Sequence, residues 1–99
     1  MKNHTKVFMN YWGYDESDFI PCFNCNKQAV DIHHLISRGQ GGSKLMDYPE
    51  NLVAACRSCH NKANGKKFNK ILKLHLMEKI VIKIRDELKE EYGGVKDGL

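Results

Sequence analysis

The chain has 99 residues, of which 41% are hydrophobic and 28% charged, with four cysteines and a formal net charge of +4. A domain this small is marginal on one hydrophobic core and commonly carries a metal staple; with no apolar run near the roughly 18 residues of a membrane span and no charged, apolar and small-residue leader at its start, a cytoplasmic location away from membranes is expected. Charge alone argues only weakly for nucleic acid, because four thiolates around one divalent ion would lower the +4 to +2.

Residues 1–21 crowd Phe8, Tyr11, Trp12, Tyr14 and Phe19 among few charges. Such a cluster can stack on bases, but packing against the lobe that follows is the expected use. A helical turn is predicted over Asp15 to Phe19 before Pro21 ends it, and His4 is read as part of a frayed terminus without a role. Cys22-Phe23-Asn24-Cys25 and Cys56-Arg57-Ser58-Cys59 come next, 30 residues apart. Two residues between cysteines let both thiolates reach one ion, so the two knuckles supply the four soft ligands of a closed, structural zinc site. Four protein ligands leave no open position for water, and reactive chemistry must lie elsewhere.

Asp31 to Ile36 reads as a short strand, on which His33 and His34 point to opposite faces and cannot easily share one ion. A loop with three glycines, 37–43, follows, and Tyr48-Pro49 makes a turn into a second strand over Asn51 to Ala55. A helix begins at Arg57 or Ser58 and carries His60 and Asn64 at i, i+4, on one face. Cys59 is turned about 100° away from His60, so whatever His60 binds is separate from the cysteine site. From about Lys67 to Tyr92 lysines are interleaved with Leu72, Leu76, Ile80, Ile84 and Leu88 at i+4 spacing, widened by Met77 and Val81, and helix in one or two segments, ending at Gly93-Gly94, is predicted. Its apolar stripe is expected to pack on the core, with a basic face along phosphate or a dimer seam as the functional alternative. Residues 95–99 are expected to be disordered.

Taken together, the Asp31-Ile-His33-His34-Leu segment, the glycine loop, Asn51-Leu-Val and Cys59-His60 resemble the HNH endonucleases of the ββα-metal class, particularly the small four-cysteine members common in phage and bacterial genomes. His34, Asn51 and His60, separated by 16 and then 8 residues, are the three that correspond to the name. The likeness covers Cys22 to about Asn64. It implies an α+β fold: a single domain over residues 1–99 made of an N-terminal aromatic segment (1–21), a zinc-bracketed ββα-metal core (22–64), a basic amphipathic helical segment (65–94) and a tail (95–99).

The resemblance also implies a metal-dependent DNA endonuclease leaving 5′-phosphate and 3′-hydroxyl ends. It makes His34 the general base, His33 and His60 ligands of a catalytic divalent ion (Mg, Mn, Ni, Co or Zn), and Asn51 the brace that keeps the His34 ring oriented. Asp31 stands as a ligand, as the holder of a metal-bound water, or as an acceptor orienting His33; Asn64 stands as a ligand or as a helix cap. Imidazole ligands suit Mn, Ni and Co better than Mg, so activity with those ions should match or exceed that with Mg. Arg38, Lys44, Arg57 and Lys62 surround these residues and are expected on the DNA backbone. A phage or host protein partner is expected to supply specificity, and the chain acts as a monomer or homodimer. A catalytically silent zinc module that binds nucleic acid or protein is the rival; it would need the cysteines but not His34.

Overall fold

The computed structural model describes residues 1–37, 39, 42, 44–63 and 65–91. The chain runs α1 (Asn3–Trp12), β1 (Asp31–His34), two single 3₁₀ turns (Lys44–Met46 and Pro49–Asn51), β2 (Leu52–Ala55), α2 (Arg57–Lys62) and α3 (Lys66–Glu91). The α+β architecture is the expected one. α1, however, takes the place of the frayed terminus. Phe8, Met9 and Trp12 fall on one side of it and enter the core, and Gly13, at φ 77°, ends it by returning its N–H to the Met9 carbonyl. The expected turn after it is closed by side chains: Asp15 Oδ1 accepts from the Ser17 N–H and hydroxyl, and Asp18 Oδ2 accepts from the Asp15 N–H.

β1 and β2 form a two-stranded antiparallel sheet in the register Asp31 with Ala55, Ile32 with Ala54, His33 with Val53 and His34 with Leu52. Both strands are shorter than expected. β1 stops at His34, where the chain turns to be held by Asn51, and Asn51 itself sits in the 3₁₀ turn before β2. Every residue of β2 is buried, Leu52, Val53 and Ala54 in the main core and Ala55 against the cysteines. Its short apolar run, Leu-Val-Ala-Ala, is the composition such a buried position requires.

The centre of the core is Phe8, Leu52, Val53, Leu72 and Leu76, all fully buried. Phe8 also contacts the rings of Trp12, Tyr14 and Phe23, so the N-terminal aromatics pack as expected, although Phe19 stays 60% exposed. In α3 the residues on the core are Phe68, Leu72, Leu76 and Ile80, one turn apart. The stripe does not continue to Ile84 and Leu88 as expected, nor do Met77 and Val81 widen it; all four are exposed, because α3 outruns the small body it packs against. Lys79 and Lys83 lie over the rings of Phe23 and Tyr11, and Lys83 pairs with Glu87. No described helix is long and apolar enough to cross a membrane. The expected disordered tail and the Gly93-Gly94 helix end lie outside the described residues.

Candidate active site

The two knuckles are built differently and meet at one point. In the first, the Cys22 N–H bonds the Lys27 carbonyl and the Asn26 N–H returns to the Cys22 carbonyl, with Asn26 in the left-handed region at φ 65°. The Phe23 and Val30 N–H groups then fasten this turn to β2, at Ala54 and Ala55. In the second, Cys56 caps α2, its Sγ accepting from the Cys59 N–H at 3.5 Å.

The four sulfurs lie within 4.8 Å of one another, with Cys25 and Cys56 3.6 Å apart and Cys25 and Cys59 3.9 Å apart. A tetrahedral ion with Zn–S bonds of about 2.3 Å sets its ligands about 3.8 Å apart, so the donor set fits such an ion. No disulfide joins them. Burial pushes the Cys59 thiol up to about 12, whereas Cys22 comes down to about 6, burial there being outweighed by backbone hydrogen bonds from Cys56, Cys25 and Asn24. Four thiolates this close repel one another strongly, and a central cation removes that cost.

The second cluster forms along β1. Among the described residues the sheet has two strands, which leaves the outer edge of β1 open, and a cavity of about 760 Å³ runs along it. Asp31, His33, His34 and His60 all line that cavity. His33 and His34 diverge as strand neighbours must. His33 turns toward α2 and α3, its ring 5.2 Å from that of His60 and its Nε2 2.9 Å from Asn69 Oδ1. His34 turns toward α1 and the loop, with its Nε2 2.7 Å from Asp47 Oδ1 and its ring edge-on to His4 at 4.8 Å. Asp31 bonds His60 Nδ1 at 2.9 Å rather than His33, and Arg57 approaches the same carboxylate at 3.8 Å.

These bonds fix which nitrogens remain for other work. Among the described residues, none engages Nδ1 of His33, Nε2 of His60 or Nδ1 of His34. Burial holds His33 below its ordinary value of 6.5, with the Asn69 bond opposing and the neighbouring His60 and His34 charges adding to the fall, so His33 is neutral and able to ligate near neutral pH. Two imidazoles and a carboxylate suit a borderline divalent ion. The described residues hold two groups whose ligand atoms lie within 4.8 Å of one another: the four cysteines, and His4 with His34 and Asp47. Asp31, His33 and His60 are spread more widely than that.

Asn51 is the brace. Its side chain is buried, accepting from the Ile36 N–H at 2.8 Å and donating to the Ile36 and Met46 carbonyls at 3.0 Å each. It therefore ties the end of β1 to the turn before β2, immediately beyond His34.

Residues 22–66 match the family model described as HNH endonuclease. This segment is an HNH domain. No curated protein and no solved structure matches the chain. The HNH match opens at Cys22 and closes in the first turn of α3. His4 on α1 and Asn69 on α3 thus lie outside it while touching its histidines, and Asn3 bonds its Asp47.

Those contacts went unread in the sequence. His4, expected in a frayed terminus, instead packs its ring against that of His34. Asp47 is the one acidic residue between His34 and Pro49, which is the signal that was there to find. Asn69 stands out as the one amide side chain of α3, in its first turn. Lys44 begins the first 3₁₀ turn, Arg57 is 72% exposed, and Lys62 lies 6.0 Å over the Phe68 ring at the exposed end of α2. Arg38 and Asn64 lie outside the described residues.

Proposed function

We propose that this chain is a metal-dependent DNA endonuclease hydrolysing phosphodiester bonds. The observation that carries the reading is the divergence of His33 and His34 on one strand whose open edge lines a single cavity, with His60 across from His33. In this reading His34 is the general base: its Nδ1 takes a proton from the attacking water while Nε2 stays on Asp47. His33 and His60 hold a divalent ion, and Asp31 orients the His60 ring by accepting from its Nδ1. When bound, that ion supplies positive charge for the departing 3′ oxygen. Asn51 keeps the backbone after His34 from shifting, and Arg38, Lys44, Arg57 and Lys62 meet the DNA backbone. Zinc on Cys22, Cys25, Cys56 and Cys59 is structural, stapling the first knuckle to α2.

Supercoiled plasmid with Mn tests the reading. The wild-type chain should nick it, with Mn, Ni or Co at least as effective as Mg, and His34→Ala should lose nicking while keeping its zinc and its fold. Undiminished cleavage by His34→Ala removes His34 as the base. A wild-type chain that cleaves with none of these ions but still binds DNA or a protein partner is instead a silent zinc module.

A further inference from the structure

The histidine proposed as base is itself held by a carboxylate that belongs to none of the assigned roles. Asp47 lies in the connection between β1 and β2, its side chain has no exposed surface, and its Oδ1 is 2.7 Å from His34 Nε2. Its other oxygen, Oδ2, accepts from Asn3 Nδ2 at 2.9 Å, 44 residues away in the first turn of α1. One residue on, His4 presents its ring edge-on to His34. The His34 side chain is 13% exposed, at the cavity wall.

An ion shared by His4, His34 and Asp47 is the competing explanation of this cluster. Ligands about 2.1 Å from one tetrahedral ion stand about 3.4 Å apart. A 2.7 Å contact between Nε2 and a carboxylate oxygen is instead the length of a charge-assisted hydrogen bond. Which imidazole nitrogen carries the proton follows from the bond the other one makes, and a carboxylate at Nε2 demands the proton there. Nδ1 is then left with its lone pair.

We propose that Asp47, itself fixed by Asn3, is the positioning residue of His34: it holds the Nε2 proton and the ring angle, so that Nδ1 presents a lone pair to the cavity. The first turn of α1 thereby becomes part of the active site although it lies outside the HNH match. The inference rests on His34 as the base. Asp47 never touches substrate and loses no proton; it removes the freedom of the ring to turn or to carry its proton on the wrong nitrogen.

Two measurements on the zinc-loaded chain test it. Proton NMR without the second ion should show an exchange-protected, downfield imidazole N–H assigned to His34 Nε2, absent in Asp47→Ala and Asp47→Asn. In plasmid nicking with Mn, Asp47→Ala should lower kcat roughly 100-fold, with KM for DNA changed less than about 2-fold. Asn3→Ala should lower kcat in the same sense by a smaller factor. Asp47→Asn keeps the volume and serves if the alanine variant does not fold.

A wild-type His34 without a protected Nε2 proton, or Asp47 variants that nick at the wild-type rate, overturns the proposal. So does Mn broadening of His34 resonances that survives His60→Ala but vanishes in Asp47→Asn, since it would put an ion on the Asp47 side. His34→Ala separates the two readings. If it nicks like the wild type, the base assignment fails; if it is inactive while Asp47→Ala is fully active, only the positioning role fails.

Discussion

Replacing Asn51 with alanine strands three backbone groups at once: the Ile36 N–H and the Ile36 and Met46 carbonyls. A buried polar group left without a partner costs about 1–3 kcal/mol. Ile36 is 57% exposed, so water can reach its two groups, and these count near the lower bound. With Met46 counted in the middle of that range, the loss comes to about 4 kcal/mol at most and about 3 kcal/mol after some relaxation. For a slope near 1.5 kcal/mol per molar urea, the unfolding midpoint should fall by about 2 M. The assay is urea denaturation followed by circular dichroism at fixed free zinc, since bound ion adds to apparent stability. Asn51→Asp sharpens the test. It keeps an acceptor for the Ile36 N–H but turns an anionic oxygen toward two carbonyl oxygens, so at pH 7 it should cost at least as much as alanine. Part of that deficit should close on acidification, when the carboxyl gains a proton it can donate. A loss under about 0.5 kcal/mol for Asn51→Ala would mean that the brace is not holding the strand end.

On α3, Leu72→Ala should cost about 3 kcal/mol, because Leu72 is fully buried, whereas Leu74→Ala, 64% exposed, should stay within about 0.5 kcal/mol; equal losses in thermal unfolding would refute the single-stripe packing. Treatment with a strong metal chelator, or Cys56→Ser, should unfold the chain, since an ion on the four converging sulfurs would tie the first knuckle to α2; a chelated chain with native circular dichroism would contradict that. Burial holds His33 below 6.5, so the unfolded chain binds its proton first on acidification. Stability from this group is therefore complete above 6.5 and is lost as pH falls from there toward the lowered folded value. Between pH 7.5 and 5.5 the urea midpoint of the wild type should drop more than that of His33→Asn, and equal drops would refute it.

The parts of this protein that were legible in its sequence are the ones whose partners are close along the chain. Two residues between cysteines are enough to put two thiolates on one ion, and the sulfurs do converge. Strand alternation is enough to separate His33 from His34, and they do diverge. The i+4 row that starts at Leu72 is enough to name the packed side of α3, although only Leu72, Leu76 and Ile80 of it reach the core. The same row could not reveal that Met77 and Val81 would face solvent, because that depends on how far the body beneath the helix extends. α1 was missed for a related reason: Lys2 offers no side-chain cap, so its helical state comes from burying Phe8 and Met9.

What the chain decides by itself, then, is the ion-binding knuckles, the two-faced histidine strand and the order of elements, since each follows from side-chain direction over a few residues. What only the folded molecule decides is the surroundings of each imidazole. Asp47 reaches His34 across a glycine loop, Asn69 reaches His33 from 36 residues away, and Asp31 bonds His60 rather than its own strand neighbour. Such pairs are created by chain closure around β2, and no local periodicity encodes them. They set which nitrogen of each ring is held and which is left to act.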